Sequence, residues 1–104
     1  MGQVSSKLRR GTCYYSHWCP GCEEMHVIYV AAPARITWSF GGDIQRPSFS
    51  PSVRITAHKG SVCHYFLTSG ELRYCTDSTH RLAGTNVPLP DLPEHVRDDR
   101  WHDG

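Results

Sequence analysis

The segment Trp18-Cys-Pro-Gly-Cys22 limits this chain more than any other feature. Two cysteines separated by a Pro-Gly turn place both sulfurs near one point. A pair of this kind serves either as half of a metal site or as a redox couple. The redox version needs a helix starting at the first cysteine, because the helix N-terminus lowers the thiol pKa. Here the turn runs into Met25-His-Val-Ile-Tyr-Val30, which reads as a strand. The pair is therefore read as a zinc knuckle, which requires two further ligands.

The rest of the composition agrees with a metal-stapled domain. The 104 residues make one domain, and only 38% are hydrophobic, against the usual ~45–50%. Five cysteines, an odd number, follow an N-terminus without the apolar core of a signal peptide, so a disulfide framework is not expected. A formal charge of +1 gives no strong pull toward nucleic acid or a membrane surface. Basic residues are interspersed with acids, so nucleic acid is a disfavoured partner. No apolar run is long enough to span a bilayer. The expected setting is the cytoplasm.

The strand signals predict a mostly β fold of small antiparallel sheets with few or no helices. Candidate strands are Thr12–Trp18, Met25–Val30, Arg35–Phe40, Ser52–Ala57, Val62–Thr68 and Glu71–Cys75. Pro47-Ser-Phe-Ser-Pro51 is not expected to be a central strand, because its prolines lack ladder donors. Residues 1–10 read as a flexible basic arm, 11–90 as the zinc-stabilised domain and 91–104 as a flexible tail in which only Trp101 looks able to dock.

Candidate ligands are sorted by hairpin geometry. A two-residue turn at Ser69-Gly70 pairs Thr68 with Glu71, Phe66 with Arg73 and His64 with Cys75. Cys63, Tyr65, Leu67, Leu72 and Tyr74 then share one face, and His64, Phe66, Arg73 and Cys75 the other. Neighbouring strand residues point oppositely, so Cys63 and His64 do not serve one metal together. The expected shell is Cys19, Cys22, Cys63 and His80, with His26 and His64 as alternates. His17, His58, His95 and His102 read as solvated positions. No catalytic or organic-cofactor-binding residue is assigned: the sequence has no His-Glu-x-x-His, no Gly-x-Ser-x-Gly and no phosphate loop.

Taken together, Tyr15-Ser-His-Trp-Cys-Pro-Gly-Cys22, Trp38-Ser-Phe-Gly-Gly-Asp43, Pro47-Ser-Phe-Ser-Pro-Ser-Val53, Cys63-His-Tyr-Phe-Leu67, Asp77-Ser-Thr-His-Arg-Leu-Ala-Gly84 and Val87-Pro-Leu-Pro90 resemble a family of small phage and prophage proteins. Its domain has no assigned function, and some members carry an "ammonia monooxygenase" label. The resemblance spans about residues 11–90 and implies a phage origin and a zinc site drawn from Cys19, Cys22, Cys63, His26, His64 and His80. Nothing in these residues supports the monooxygenase label. The leading functional expectation is a zinc-binding accessory protein that binds another protein, host or phage, as an inhibitor of a host defence system. The alternatives are a zinc hydrolase with an open coordination position and a nucleic-acid-binding zinc ribbon.

Overall fold

The computed structural model describes residues 2–97. They form two antiparallel sheets. The first has β1 (Gly2–Gln3), β2 (Arg9–Arg10), β3 (Tyr14–Cys19) and β4 (Glu24–Tyr29) in chain order. The second has β5 (Ser39–Gly42), β6 (Pro47–Thr56), β7 (Val62–Thr68), β8 (Glu71–Tyr74) and β9 (Asn86–Pro88), also in chain order. A single turn, α1 (Glu94–Arg97), completes the described chain. The mostly β, small-sheet architecture is the one the strand signals imply. No helix among the described residues is long and apolar enough to cross a membrane.

Alternation along β7 and β8 explains the core. Cys63, Tyr65, Leu67, Leu72 and Tyr74 are buried, whereas Phe66 and Arg73 face outward. The register is Tyr65↔Tyr74, Phe66↔Arg73, Leu67↔Leu72 and Thr68↔Glu71, as a two-residue turn requires. From the other sheet, Tyr15 stacks on Phe40 at 4.6 Å and meets Phe49 edge-on at 5.8 Å. These aromatic contacts join the sheets at one end.

Two strand expectations change. Arg35–Trp38 is not a strand, and Ile36 is 72% exposed. Pairing begins only at Ser39, and the Trp38 indole turns back to donate to the Ser52 carbonyl at 3.1 Å. The Pro47–Pro51 segment does lie inside a sheet, as the first half of β6. It is tolerated because the β6–β7 register shifts between Phe49↔Leu67 and Val53↔Tyr65, so Pro51 falls in a bulge where no ladder donor is required. Phe49 packs into the core, and Asp43 caps the preceding turn by accepting from the Gln45 and Arg46 N–H groups.

The ends are also more engaged than an arm and a tail. Residues 1–10 supply β1 and β2, and Leu8 is fully buried. Leu92 and Val96 are buried, Leu92 N–H donates to the Ser6 carbonyl, and Arg9 donates to the Val96 carbonyl. The apolar Leu92 and Val96 side chains thus hold the C-terminal segment against the N-terminal strands. Trp101 and His102 lie outside the described residues.

A polar joint also links the sheets. His17 on β3 is fully buried rather than solvated, because its side chain shares the inward face with Tyr15 and Cys19. Its Nδ1 lies 3.1 Å from the Trp18 carbonyl, which fixes the proton there, so Nε2 accepts from the Tyr65 hydroxyl at 2.6 Å. Tyr65 in turn accepts from His26 Nδ1 at 3.2 Å. His26 Nε2 is then a bare lone pair, buried without a hydrogen-bond partner.

Burial sets the charge state of both rings. It lowers the His17 pKa to about 4 and the His26 pKa to about 3, the latter with help from His17 and His80. A ring whose pKa falls on folding contributes stability that is complete above its unfolded value of ~6.5. That stability is lost as pH falls toward the folded value, by at most about 1.4 kcal/mol per pH unit for each ring. The urea midpoint should therefore drop between about pH 7 and about pH 5, and a flat midpoint over that range would refute the neutral joint. Leu67→Ala, in a site with no exposure, should cost about 2–5 kcal/mol in the same assay. Ile36→Ala should change stability by under about 0.5 kcal/mol.

Candidate functional site: a thiol cluster and a serine triad on opposite faces of one strand

Strand β7 carries chemistry on both sides. Cys63 points inward, toward the turn that follows β3. There, one ligand atom from each of Cys19, Cys22, Cys63 and His80 lies within 4.8 Å of the others, a group able to hold a metal ion. Cys19 Sγ is 3.8 Å from Cys63 Sγ, and Cys63 Sγ is 3.4 Å from His80 Nε2. All five cysteines are free thiols. The four residues brought together are those expected from the spacing. His26 instead falls in an adjoining group with Cys22 and Glu24, and His64 lies across the sheet in a third group.

Three thiols in one place cannot all ionise unaided. The hydrogen bond from Cys63, followed by one from Tyr74, lowers Cys19 to about 5. Burial and the negative charge of Cys19 raise Cys22 to about 11. Cys63 is raised further, because it gives its hydrogen bond to Cys19 and is itself buried. A cation would supply the charge needed to ionise Cys22 and Cys63 as well.

His80 is held by its surroundings. Its ring meets Tyr74 edge-on at 4.6 Å, and Leu82 N–H donates to Nδ1 at 3.2 Å. Coordination through Nε2 would move the ring proton to Nδ1, so the Leu82 contact would have to relax. Gly21 is required for close approach: a Cβ there would stand 2.4 Å from His80 Cε1.

On the outer face of β7, His64 sits between two oxygen-bearing side chains. Ser52 Oγ is 3.1 Å from His64 Nε2. His64 Nδ1 is 3.0 and 3.1 Å from the two Asp77 oxygens. A carboxylate only accepts, so Nδ1 carries the proton and Nε2 is the acceptor for the Ser52 hydroxyl. Arg54 approaches Asp77 at 3.9 Å from the exposed side.

The local fold creates this alignment. Arg54 pairs directly with His64, so Ser52, two residues earlier, is the diagonal neighbour on the same face. The bulge then re-aims it. The turn after β8 presents Asp77: Cys75 N–H donates to the His64 carbonyl, and Ser78 Oγ both accepts from the His64 N–H at 3.0 Å and donates to its carbonyl at 2.9 Å. The Asp77 turn is thus anchored on the histidine's own backbone.

Cys75, the other nucleophilic side chain nearby, is a poor rival to Ser52. Burial and the Asp77 carboxylate raise its pKa, which keeps the thiol protonated. Sequence reasoning did not join Ser52, His64 and Asp77 because the three are spread over 26 positions without a local signature. The available signal was Ser52 following two prolines in a strand beside the His64 strand.

Gly21→Ala should push the His80 ring out of the cluster and weaken metal retention by at least about tenfold, measured against a chromophoric chelator. Unchanged retention would remove His80 from the shell.

The profile of a family described as BubE, bacterial ubiquitination-like system serine protease, matches residues 2–75. The match spans Cys19, Cys22, Ser52, Cys63 and His64, and ends just before Asp77 and His80. No curated protein and no solved structure matches the chain. The family's description supports neither a zinc ribbon nor an ammonia monooxygenase. Covering well over half of the sequence, the match shows that this chain belongs to the BubE family.

Proposed function

We propose that this protein is a serine peptidase whose nucleophile is Ser52, whose general base is His64 and whose orienting carboxylate is Asp77. The observation that carries the reading is the continuous Ser52–His64–Asp77 hydrogen-bond chain at 3.1 and 3.0 Å. This is the constellation of a serine hydrolase, recognised by geometry rather than by chain order. The family description supplies the reaction class and the setting. The bond cut is an amide in a protein of a bacterial ubiquitination-like system.

Each residue has a defined task. Asp77 holds His64 in the tautomer with Nε2 free and stabilises the imidazolium that forms. His64 takes the Ser52 proton as Oγ attacks the carbonyl carbon, then passes it to the leaving amine. Water attacks the resulting ester by the same route in reverse, and Ser52 regains its proton. Ser78 acts through the backbone, keeping the Asp77 turn in register with His64.

The metal reading belongs to the inner face. Thiolates at ~2.3 Å from a tetrahedral zinc lie roughly 3.8 Å apart, and a thiolate and an imidazole nitrogen roughly 3.5 Å apart. The observed 3.8 and 3.4 Å fit that shell, so zinc is the metal we assign to Cys19, Cys22, Cys63 and His80. Four protein donors fill a tetrahedral site, so zinc here is a staple. The cleft of about 240 Å³ beside it then needs no catalytic role. Reading the chain as a binding protein alone leaves the Ser52–His64–Asp77 alignment unexplained.

A fluorophosphonate probe should label Ser52 in the intact protein, and Ser52→Ala should abolish labelling. Hydrolysis of a ubiquitin-like protein fused to a C-terminal extension should fall at least about a thousandfold in Ser52→Ala and His64→Ala. Labelling that survives in Ser52→Ala would refute the assignment.

A further inference from the structure

Cys75 has no task in the triad, yet it stands against it. Its N–H donates to the His64 carbonyl at 2.8 Å, extending the β7–β8 ladder by one residue beyond Tyr65↔Tyr74. Its side chain therefore faces His64 on the outer surface. One ligand atom from each of His64, Cys75 and Asp77 lies within 4.8 Å of the others, and His64 and Cys75 are half-buried. Imidazole, thiol and carboxylate converging at one point are the donors of a borderline-soft divalent cation.

We propose that His64, Cys75 and Asp77 form a second, inhibitory site for a thiophilic divalent cation such as Zn²⁺. Its occupation would switch the Ser52 triad off. The inhibitory half rests on the serine-peptidase reading, and the binding half does not.

The chemistry follows from which nitrogen faces which group. Nε2 faces Ser52, so a cation shared with Asp77 uses Nδ1. The Nδ1 proton moves through solvent to Nε2, and the Cys75 thiol releases its proton to solvent. One proton therefore leaves for each cation bound. With Nε2 protonated, His64 has no lone pair for the Ser52 hydroxyl, and Asp77 is spent on the metal. General-base catalysis stops although no catalytic side chain is chemically altered.

Two features set the strength of the site. It has one sulfur where the inner cluster has three, so it fills after that cluster. Arg54, 3.9 Å from Asp77, opposes a cation, but its side chain is 60% exposed and can turn to solvent. Asp77 is half-exposed as well, so its carboxylate can open the 3.0 Å contact enough to admit an ion. The outcome is a weaker site that reads free metal above the level needed to fill the staple.

The test is a calorimetric titration of the protein already carrying one zinc, with further Zn²⁺. The wild type should take up a second equivalent with release of one proton. Cys75→Ala should bind that equivalent at least about tenfold more weakly. Hydrolysis by the wild type should fall with the same midpoint, and the midpoint should move to higher zinc in Cys75→Ala. No second equivalent, equal binding by Cys75→Ala, or a filled second site with hydrolysis intact would each overturn the proposal. Failure of the peptidase reading shows separately, as absence of Ser52-dependent hydrolysis in zinc-free buffer, and the titration then still decides the cation site.

Discussion

The junction of Cys19 and Cys22 with Cys63 and His80 is the constraint on which the two-sheet arrangement depends. Cys19 and Cys22 lie at the tip of the β3–β4 hairpin; Cys63 and His80 belong to the other sheet and its following loop. Other inter-sheet contacts include the Tyr15–Phe40–Phe49 rings, the Cys19–Tyr74 contact and the His17–Tyr65–His26 joint. A domain of this size has a total stability of about 5–15 kcal/mol. A structural zinc contributes an apparent ~10–16 kcal/mol of binding energy. A filled cluster is thus comparable to the whole stability of the fold, and an empty one leaves three thiols competing over one negative charge.

The period-2 geometry of a strand links that junction to the triad. Cys63 and His64 are adjacent, so one points to the cluster and the other to the outer surface. Fixing Cys63 fixes the backbone of β7, and with it the direction of the His64 ring. Ser78 tightens the link from the far side by gripping both the N–H and the carbonyl of His64. The triad itself is partly open to water, with the Asp77 side chain half-exposed. Exposure weakens each hydrogen bond in it. A bound substrate would cover this face, where Phe66, half-exposed, lies 6.5 Å from the His64 ring and supplies apolar surface.

Much of this was legible in the residues. The Ser69-Gly70 turn determined the register of β7 and β8 residue by residue, because a two-residue loop admits one pairing. From the register came the two faces, and from the faces the separation of Cys63 from His64. Pro20-Gly21 before a strand was enough to prefer a metal knuckle to a redox motif. The bulge in β6 was not legible. Alternation assumes one residue for each partner residue, whereas here Ser50, Pro51 and Ser52 stand opposite Phe66 alone. That slip disguised both the strand and the aim of Ser52. Burial of His17 was equally hidden, because it requires a tyrosine 48 positions away. The N-terminal strands were lost to a local reading of polarity: Arg9 is buried because the C-terminal segment lies over it and accepts its hydrogen bond.

On the proposed peptidase reading, the use of serine rather than cysteine at position 52 follows from the same layout. A thiol at position 52 would be more nucleophilic, but beside an imidazole and a carboxylate it would complete a set of donors for a thiophilic metal. A hydroxyl is a poor ligand for such an ion, so Ser52 can share the His64–Asp77 pair without completing a metal shell. The same logic explains why the position of Cys75 matters. It is the one soft donor that the described fold brings to the triad, held protonated by burial and by the Asp77 charge. Its proton is then what separates a working triad from a metal site. The proposed catalytic face carries oxygen donors beside its imidazole where the inner cluster carries sulfur.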